Sequence, residues 1–236
     1  MIVNTPAIVL KSISYGDTSI ISRCFSKNKG KISIIVKGAK SKKAPKISYF
    51  QPLSYVELVY NEKPSRNLNI LSKVSFIESW QNIFNDIRLL SLSVAILEIT
   101  EKTILEGDPH PKLFKVLKNV LSAYNKNPDS PNLLFWFYEC ALLNHLGFRP
   151  TLEKQDFPGV DLPDPNGGSK SGAILEKLME EKIDQLPKEM ISKKDNKIIS
   201  DYLWLLLCYH FDGLHNIKSV QIAKQILKPK GFSSGV

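Results

Sequence analysis

Residues 7–38 read AIVLKSISYGDTSIISRCFSKNKGKISIIVKG. They form three runs rich in β-branched side chains, separated by the turn-prone breaks YGD (Tyr15–Asp17) and KNKG (Lys27–Gly30). Within the third run, Ile32, Ile34 and Val36 alternate with other residues, which predicts a strand with one buried face. Two more runs follow, LSYVELVY (53–60) and NLNILSKVSF (67–76), on either side of NEKPSRN (Asn61–Asn67). Five short strands in fewer than 80 residues predict a small closed barrel. The five-stranded OB-fold is the natural candidate because it commonly carries single-stranded nucleic acid, and an SH3-like barrel fits the same periodicity.

Between the third and fourth runs lies KGAKSKKAPK (Lys37–Lys46), five lysines in ten residues. A solvated loop is the plain reading of such a run, but the charge of the whole chain argues for more. Residues 1–78 hold 13 Lys and Arg against 4 Asp and Glu, whereas residues 79–236 hold 19 of each, so the formal +9 belongs to the first third. That distribution points to a polyanionic partner for the barrel. Only Arg23, Arg66, Arg88 and Arg149 are arginines. Lysine suits phosphate, and reading base edges favours the arginine fork, so backbone binding is expected over sequence-specific binding. The candidate nucleic-acid-binding residues are Lys37, Lys40, Lys42, Lys43 and Lys46 of the loop, joined by Lys11, Arg23, Lys29 and Lys31, with Lys27 nearby. Tyr49 and Phe50 border the loop and are the candidate stacking platforms, the competing assignment for each being the barrel core.

From Trp80 the period becomes helical. Ile83, Ile87, Leu90, Val94 and Leu97 predict a long helix ended by Gly107. Pro111 and Pro131 suit first helical positions, with Ser130 as an N-cap, and LLFWFYECALL (133–143) is apolar nearly all round, as a central helix is. Residues 148–172 hold four prolines, which predicts an irregular loop; helical periodicity returns in AILEKLMEEKI (173–183), IISDYLWLLLCYHF (198–211) and IKSVQIAKQIL (217–227). The predicted organisation is a barrel over 1–79 and a helical domain over 80–236, an α+β chain. Cys24, Cys140 and Cys208 are scattered, which argues for a reducing compartment and against a disulfide framework. No secretion signal or membrane-spanning stretch is read, so a cytoplasmic location is expected. The sequence carries no phosphate-binding loop, zinc-protease motif or nucleophile elbow, and no enzyme activity, cofactor or metal is expected. His210 and His215 read as polar residues at a helix end, and Glu98, Glu101, Glu180 and Glu181 as solvated helix faces.

AIVLKSISYGDTSIISRCFSKNKGKISIIVKGAKSKK followed by FQPL (Phe50–Leu53), then LLNHLGFRPTLEK (142–154), and finally YHFDGLHNIKSVQIAKQIL (209–227) with its Lys218–Ser219 pair resemble, in order and spacing, the RecO family of bacterial recombinational repair proteins. The resemblance implies an N-terminal OB-fold joined to a helical domain. It further implies an ATP-independent mediator that binds single- and double-stranded DNA, anneals complementary strands and, with RecR, helps load RecA onto DNA coated by single-stranded DNA-binding protein (SSB), so that contact with the RecA filament is indirect. The helical domain is expected to bind the acidic, apolar C-terminal tail of SSB. Many members of the family carry four zinc-binding cysteines after the stretch matching GFRPTLEK; here QDFPGVDLPDPNGGSKSG (155–172) has none, so no zinc is expected. The competing functional reading is an OB-fold RNA-binding protein of ribosome or RNA metabolism.

Overall fold

The three N-terminal runs become β1 (Ile2–Tyr15), β2 (Ser19–Ser26) and β3 (Gly30–Val36), and the later two become β4 (Tyr55–Asn61) and β5 (Leu68–Glu78). The structure is a computed structural model that describes residues 1–42, 45–62, 68–154 and 157–227. The strands close in the order β1-β2-β3-β5-β4, with β4 returning to pair with β1. Among the described residues all ladders between these strands are antiparallel except β3 with β5. This mixed five-stranded closure matches the OB-fold. Val9, Cys24, Ile34, Val36, Val56, Leu58 and Tyr60 fill the interior. A 3-10 turn at Ile47–Phe50 plugs one end, pinned where Ser12 Oγ donates to the Phe50 carbonyl at 2.7 Å.

One irregularity in β1 governs what the outside of the barrel presents. Val9 pairs with Cys24 but Lys11 pairs with Arg23, so Leu10 is an extra residue, a β-bulge. Before the bulge, Ala7 and Val9 point into the barrel while Ile8 points out; Leu10 points out as well. After it, Ser12 takes the inward position, facing Ser22 with a 3.0 Å hydrogen bond, and Lys11, Ile13 and Tyr15 turn outward.

Among the described residues six helices follow: α1 (Ile87–Thr103), α2 (Pro111–Tyr124), α3 (Pro131–His145), α4 (Ser171–Met179), α5 (Lys193–His210) and α6 (Lys218–Leu227). Pro111 and Pro131 occupy the first positions of α2 and α3 as predicted. Ser130 sits at the N-cap of α3, but its side chain makes no capping hydrogen bond. The first helix is shorter than its periodicity suggests. A 3-10 turn at Gln81–Asn85 precedes it, and Asp86 caps it by accepting from the Arg88 amide. It ends at Thr103, where Ile104 turns extended, four residues before Gly107. α3 is buried over most of its length and lies at the centre of the helical part.

The two parts share an apolar core. Ile8, Leu10, Phe25, Leu53 and Tyr55 from the barrel join Trp80, Leu92, Ile96, Phe114 and Leu117 in one cluster. Tyr55 stacks on Trp80, with centroids 5.7 Å apart, and Phe25 meets Phe114 edge-on at 5.5 Å. Beside this core the loop from α1 to α2 runs along the start of β3: Lys31 bridges to Glu106, and the Gly107 amide donates to the Lys31 carbonyl at 2.9 Å. Gly30 has a φ of +65°, and a Cβ built on it would lie 1.9 Å from the Asp108 carbonyl oxygen, so the residue must be glycine for conformation and for space.

Candidate nucleic-acid interface

The lysine loop emerges from the end of β3. The Lys40 amide donates to the Thr18 carbonyl, and the Lys46 and Ile47 amides both donate to the Ala39 carbonyl, folding the loop back on itself. Lys37, Lys40 and Lys42 are exposed and Lys46 is half-buried. Among the described residues none of the four makes an ion pair; Lys40 Nζ donates to Ser14 Oγ at 2.7 Å. Lys43 lies outside the described residues. Lys11 is exposed on the outer face of β1, directly across from Arg23.

Three of the other candidates are engaged within the protein. Arg23 pairs with Glu101 of α1, a residue that is buried and therefore not on a solvated helix face as its pattern suggests. Lys31 Nζ donates to the main-chain carbonyl of the same Glu101 at 2.6 Å, and burial lowers the Lys31 pKa. Lys29 pairs with Glu62 at 3.0 Å. Arg23 and Lys31 thus hold the barrel against the helices. Their alternation places them on the outer face, but the sequence gives no sign that α1 covers that end.

Of the two aromatics, Phe50 is 1% exposed and belongs to the barrel core, so its ring offers no face to a base. Tyr49 is half-buried and stacks on Phe76 of β5, with centroids 4.5 Å apart and planes 26° apart. Phe76 itself is 49% exposed. The exposed ring beside this turn is therefore Phe76, whose run predicts a strand and whose partner, Tyr49, is visible only in three dimensions.

The helical half adds a second candidate surface. Between α3, α5 and α6 lies a groove of about 410 Å³ with Leu92, Phe135, Trp136, Val220 and Ala223 in its apolar wall and Lys193, Lys197 and Lys224 at its rim. Lys224 Nζ also sits 5.2 Å from the centre of the Trp204 ring.

Burial pushes the Cys24 and Cys140 thiols up to about 12, which makes both inert. Among the described residues no three His, Cys, Asp or Glu side chains converge as a metal site. The segment that follows the GFRPTLEK match is held by other means: Asp195 accepts from the Lys170 amide and the Ser169 hydroxyl, both at 3.0 Å, and Ser171 donates to the Pro165 carbonyl at 2.6 Å. Donors of that kind do not fit a thiolate-bound zinc. Among the described residues no helix is long and apolar enough to cross a membrane.

Comparison with known proteins identifies the family. Residues 1–80 match a family model described as recombination protein O N terminal, and residues 85–219 match recombination protein O C terminal. A DNA repair protein RecO of Salinibacter ruber is 31% identical over 153 residues, covering 65% of this chain and 59% of that protein. The chain thus spans less than two thirds of the length of that relative. RecO proteins of Prosthecochloris aestuarii and Flavobacterium psychrophilum are each 26% identical over 96% of this chain, covering 98% and 99% of their own lengths. With both family models matched in order, one across the barrel and one across the helices, the chain belongs to the RecO family of DNA repair and recombination proteins.

Proposed function

We propose that this protein is a recombination mediator without catalytic chemistry of its own. It binds single- and double-stranded DNA through the barrel, anneals complementary strands and, with RecR, helps RecA onto DNA covered by SSB. The observation that carries the reading is the division of charge: the barrel third holds the whole formal +9. Within it, Lys11, Lys37, Lys40 and Lys42 are exposed cations. Lysines laid along one side of a barrel neutralise phosphates and lower the repulsion between two strands brought together, leaving sequence choice to base pairing. The neutral helical half is then available to protein partners. Its groove between α3, α5 and α6, apolar with a lysine rim, has the chemistry to take the acidic, apolar SSB tail.

The test is annealing of complementary oligonucleotides coated with SSB, without ATP, alongside binding at several salt concentrations. If about four to six phosphates are engaged, log affinity for single strands falls against log salt with a slope of about −3 to −4. Replacing Lys40, Lys42 and Lys43 with alanine flattens that slope and slows annealing. A slope near zero in the unmodified protein, or annealing no faster than without it, overturns the reading. For the groove, Ala223→Arg abolishes capture of a synthetic SSB-tail peptide while leaving binding to bare DNA unchanged.

A further inference from the structure

The seam between β3 and β5 is short. Ser33, Ile34 and Ile35 pair with Leu68, Asn69 and Ile70, and beyond Ile70 the two strands part. From Leu71 to Glu78, β5 pairs with β4 on one side, and among the described residues no main-chain hydrogen bond reaches it on the other. The wall of the barrel is open there. Val56 pairs with Phe76 and Leu58 with Val74, so all four side chains share the inward face of the sheet. Val56 and Leu58 are fully buried, yet Phe76 is 49% exposed, with Tyr49 stacked on one side of its ring. Ser75, Phe76, Ile77 and Glu78 are exposed in succession, where a strand with one covered face would alternate. Phe76 is thus an inward residue that no neighbouring strand covers.

A free strand edge presents amide N–H and carbonyl groups that another extended polypeptide can continue as a ladder. The chemistry of that polypeptide follows from the two borders of the opening. On one side stands the edge itself, with Lys73 exposed and Phe76 on its inward face. On the other runs the chain that leaves β3 after Val36 as the lysine loop and comes back at Tyr49, against Phe76. Lys37, Lys40 and Lys42 of that loop are exposed. A strand laid between these borders points alternate side chains inward, onto Phe76 and Tyr49, and outward, among the lysines. Apolar residues suit the first set and carboxylates the second. A second copy of the chain would bring its own lysines against these and is disfavoured by charge. A nucleic-acid strand would satisfy the lysines but has no amides with which to extend the ladder.

We propose that the free edge of β5 takes an extended segment of a partner protein as an added strand, a segment in which apolar residues alternate with acidic ones. Its apolar side chains cover Phe76 and complete the wall, and its carboxylates meet Lys73 and the loop. The inference stands on the open edge and its flanking charge, whether or not the barrel binds DNA. Where the barrel does bind DNA, segment and phosphates compete for the same loop lysines.

The experiment is amide hydrogen exchange on the full chain with a synthetic peptide in which aspartate alternates with isoleucine, and with the same peptide N-methylated at every amide, which keeps the side chains and removes the ladder donors. The alternating peptide should slow exchange between residues 72 and 78 by about tenfold, and the N-methylated peptide should protect nothing. Phe76→Ser should weaken peptide binding about tenfold. Lys40→Ala/Lys42→Ala, both at exposed positions where folding is not at risk, should weaken it about threefold. Absence of protection in β5, protection confined to the helices, or equal binding of the N-methylated peptide overturns the proposal. So does the same β5 protection produced by a single-stranded oligonucleotide, which would assign the opening to nucleic acid. Protection that grows with protein concentration in the absence of peptide would assign it to a second copy and overturns the proposal as well.

Discussion

Glu139 shows how much one side chain can set against the rest of a helix. It sits in α3, is 1% exposed, and its Oε1 has no hydrogen-bond partner among the described residues. Burial pushes its carboxyl up to about 8, against a smaller opposing pull from the Lys224 ammonium. An unfolded glutamate titrates near about 4.3. Between that pH and about 8 the folded protein holds a proton that the unfolded chain has given up, so stability falls as pH rises through this window and levels off above it. Glu139→Gln removes the titration. Denaturant unfolding at several pH values should show it more stable than the parent at pH 7 to 8, by on the order of a few kcal/mol, with the slope across the window lost. A variant with the parent's slope would assign the pH dependence to another group. The carboxylate inside LLFWFYECALL is visible in the sequence; its lack of a partner is not, because that depends on which residues of other helices face it. The same holds for Glu101, whose helical spacing suits a solvated face and whose buried position comes from the barrel lying against it.

At the scale of elements, the loop between α3 and α4 is ordered by the first turn of α5. Asp195 accepts from Lys170 and Ser169, and the Ser192 hydroxyl and the Lys170 amide hold its carboxyl below the usual carboxylate range. A Cβ at Gly168 would come 2.1 Å from Asp195 Oδ1, so the loop is seated directly on this side chain. Asp195→Ala should make the loop open to trypsin at Lys154 and Lys170, with cleavage about tenfold faster and far-ultraviolet circular dichroism unchanged; a cleavage rate equal to the parent's would show that packing alone seats it. Since the carboxylate is the form that accepts these bonds, the latch is present above about pH 4 and is lost as pH falls below it. Prolines 150, 158, 163 and 165 announce an irregular segment, but nothing in their spacing names Asp195, in the first turn of α5. The strands were more legible. The alternation in Ile32, Ile34 and Val36 gives the buried face of β3 directly, whereas the extra residue at Leu10 leaves no mark in composition and yet decides whether Ile13 and Tyr15 face the core or the solvent.

For the whole molecule, the formal charge of the barrel overstates what an anion meets. Arg23 is paired with Glu101 of the helical part, and Lys31 is turned inward to a carbonyl. Glu101→Gln separates structure from binding here. It weakens a buried charge-assisted contact between barrel and helices, with an expected loss of about 1–3 kcal/mol in unfolding free energy. It also releases Arg23, whose side chain is already half in solvent beside Lys11. Single-strand affinity at low salt should therefore rise and the salt slope steepen by up to about 0.7 while the protein becomes less stable. A fall in both would show that Arg23 acts only as a tie.

The apolar cluster shared by barrel and helices bears on how the chain acquires its shape. Ile8, Leu10, Phe25, Leu53 and Tyr55 are buried only because α1, α2 and the segment around Trp80 lie over them. The boundary between the two matched family models falls at residues 80–85, within that covering. Cutting there strips one flank of the barrel and exposes five large side chains at once. Melting should accordingly be a single calorimetric transition for the intact chain, and a fragment ending at residue 80 should self-associate rather than behave as an autonomous module.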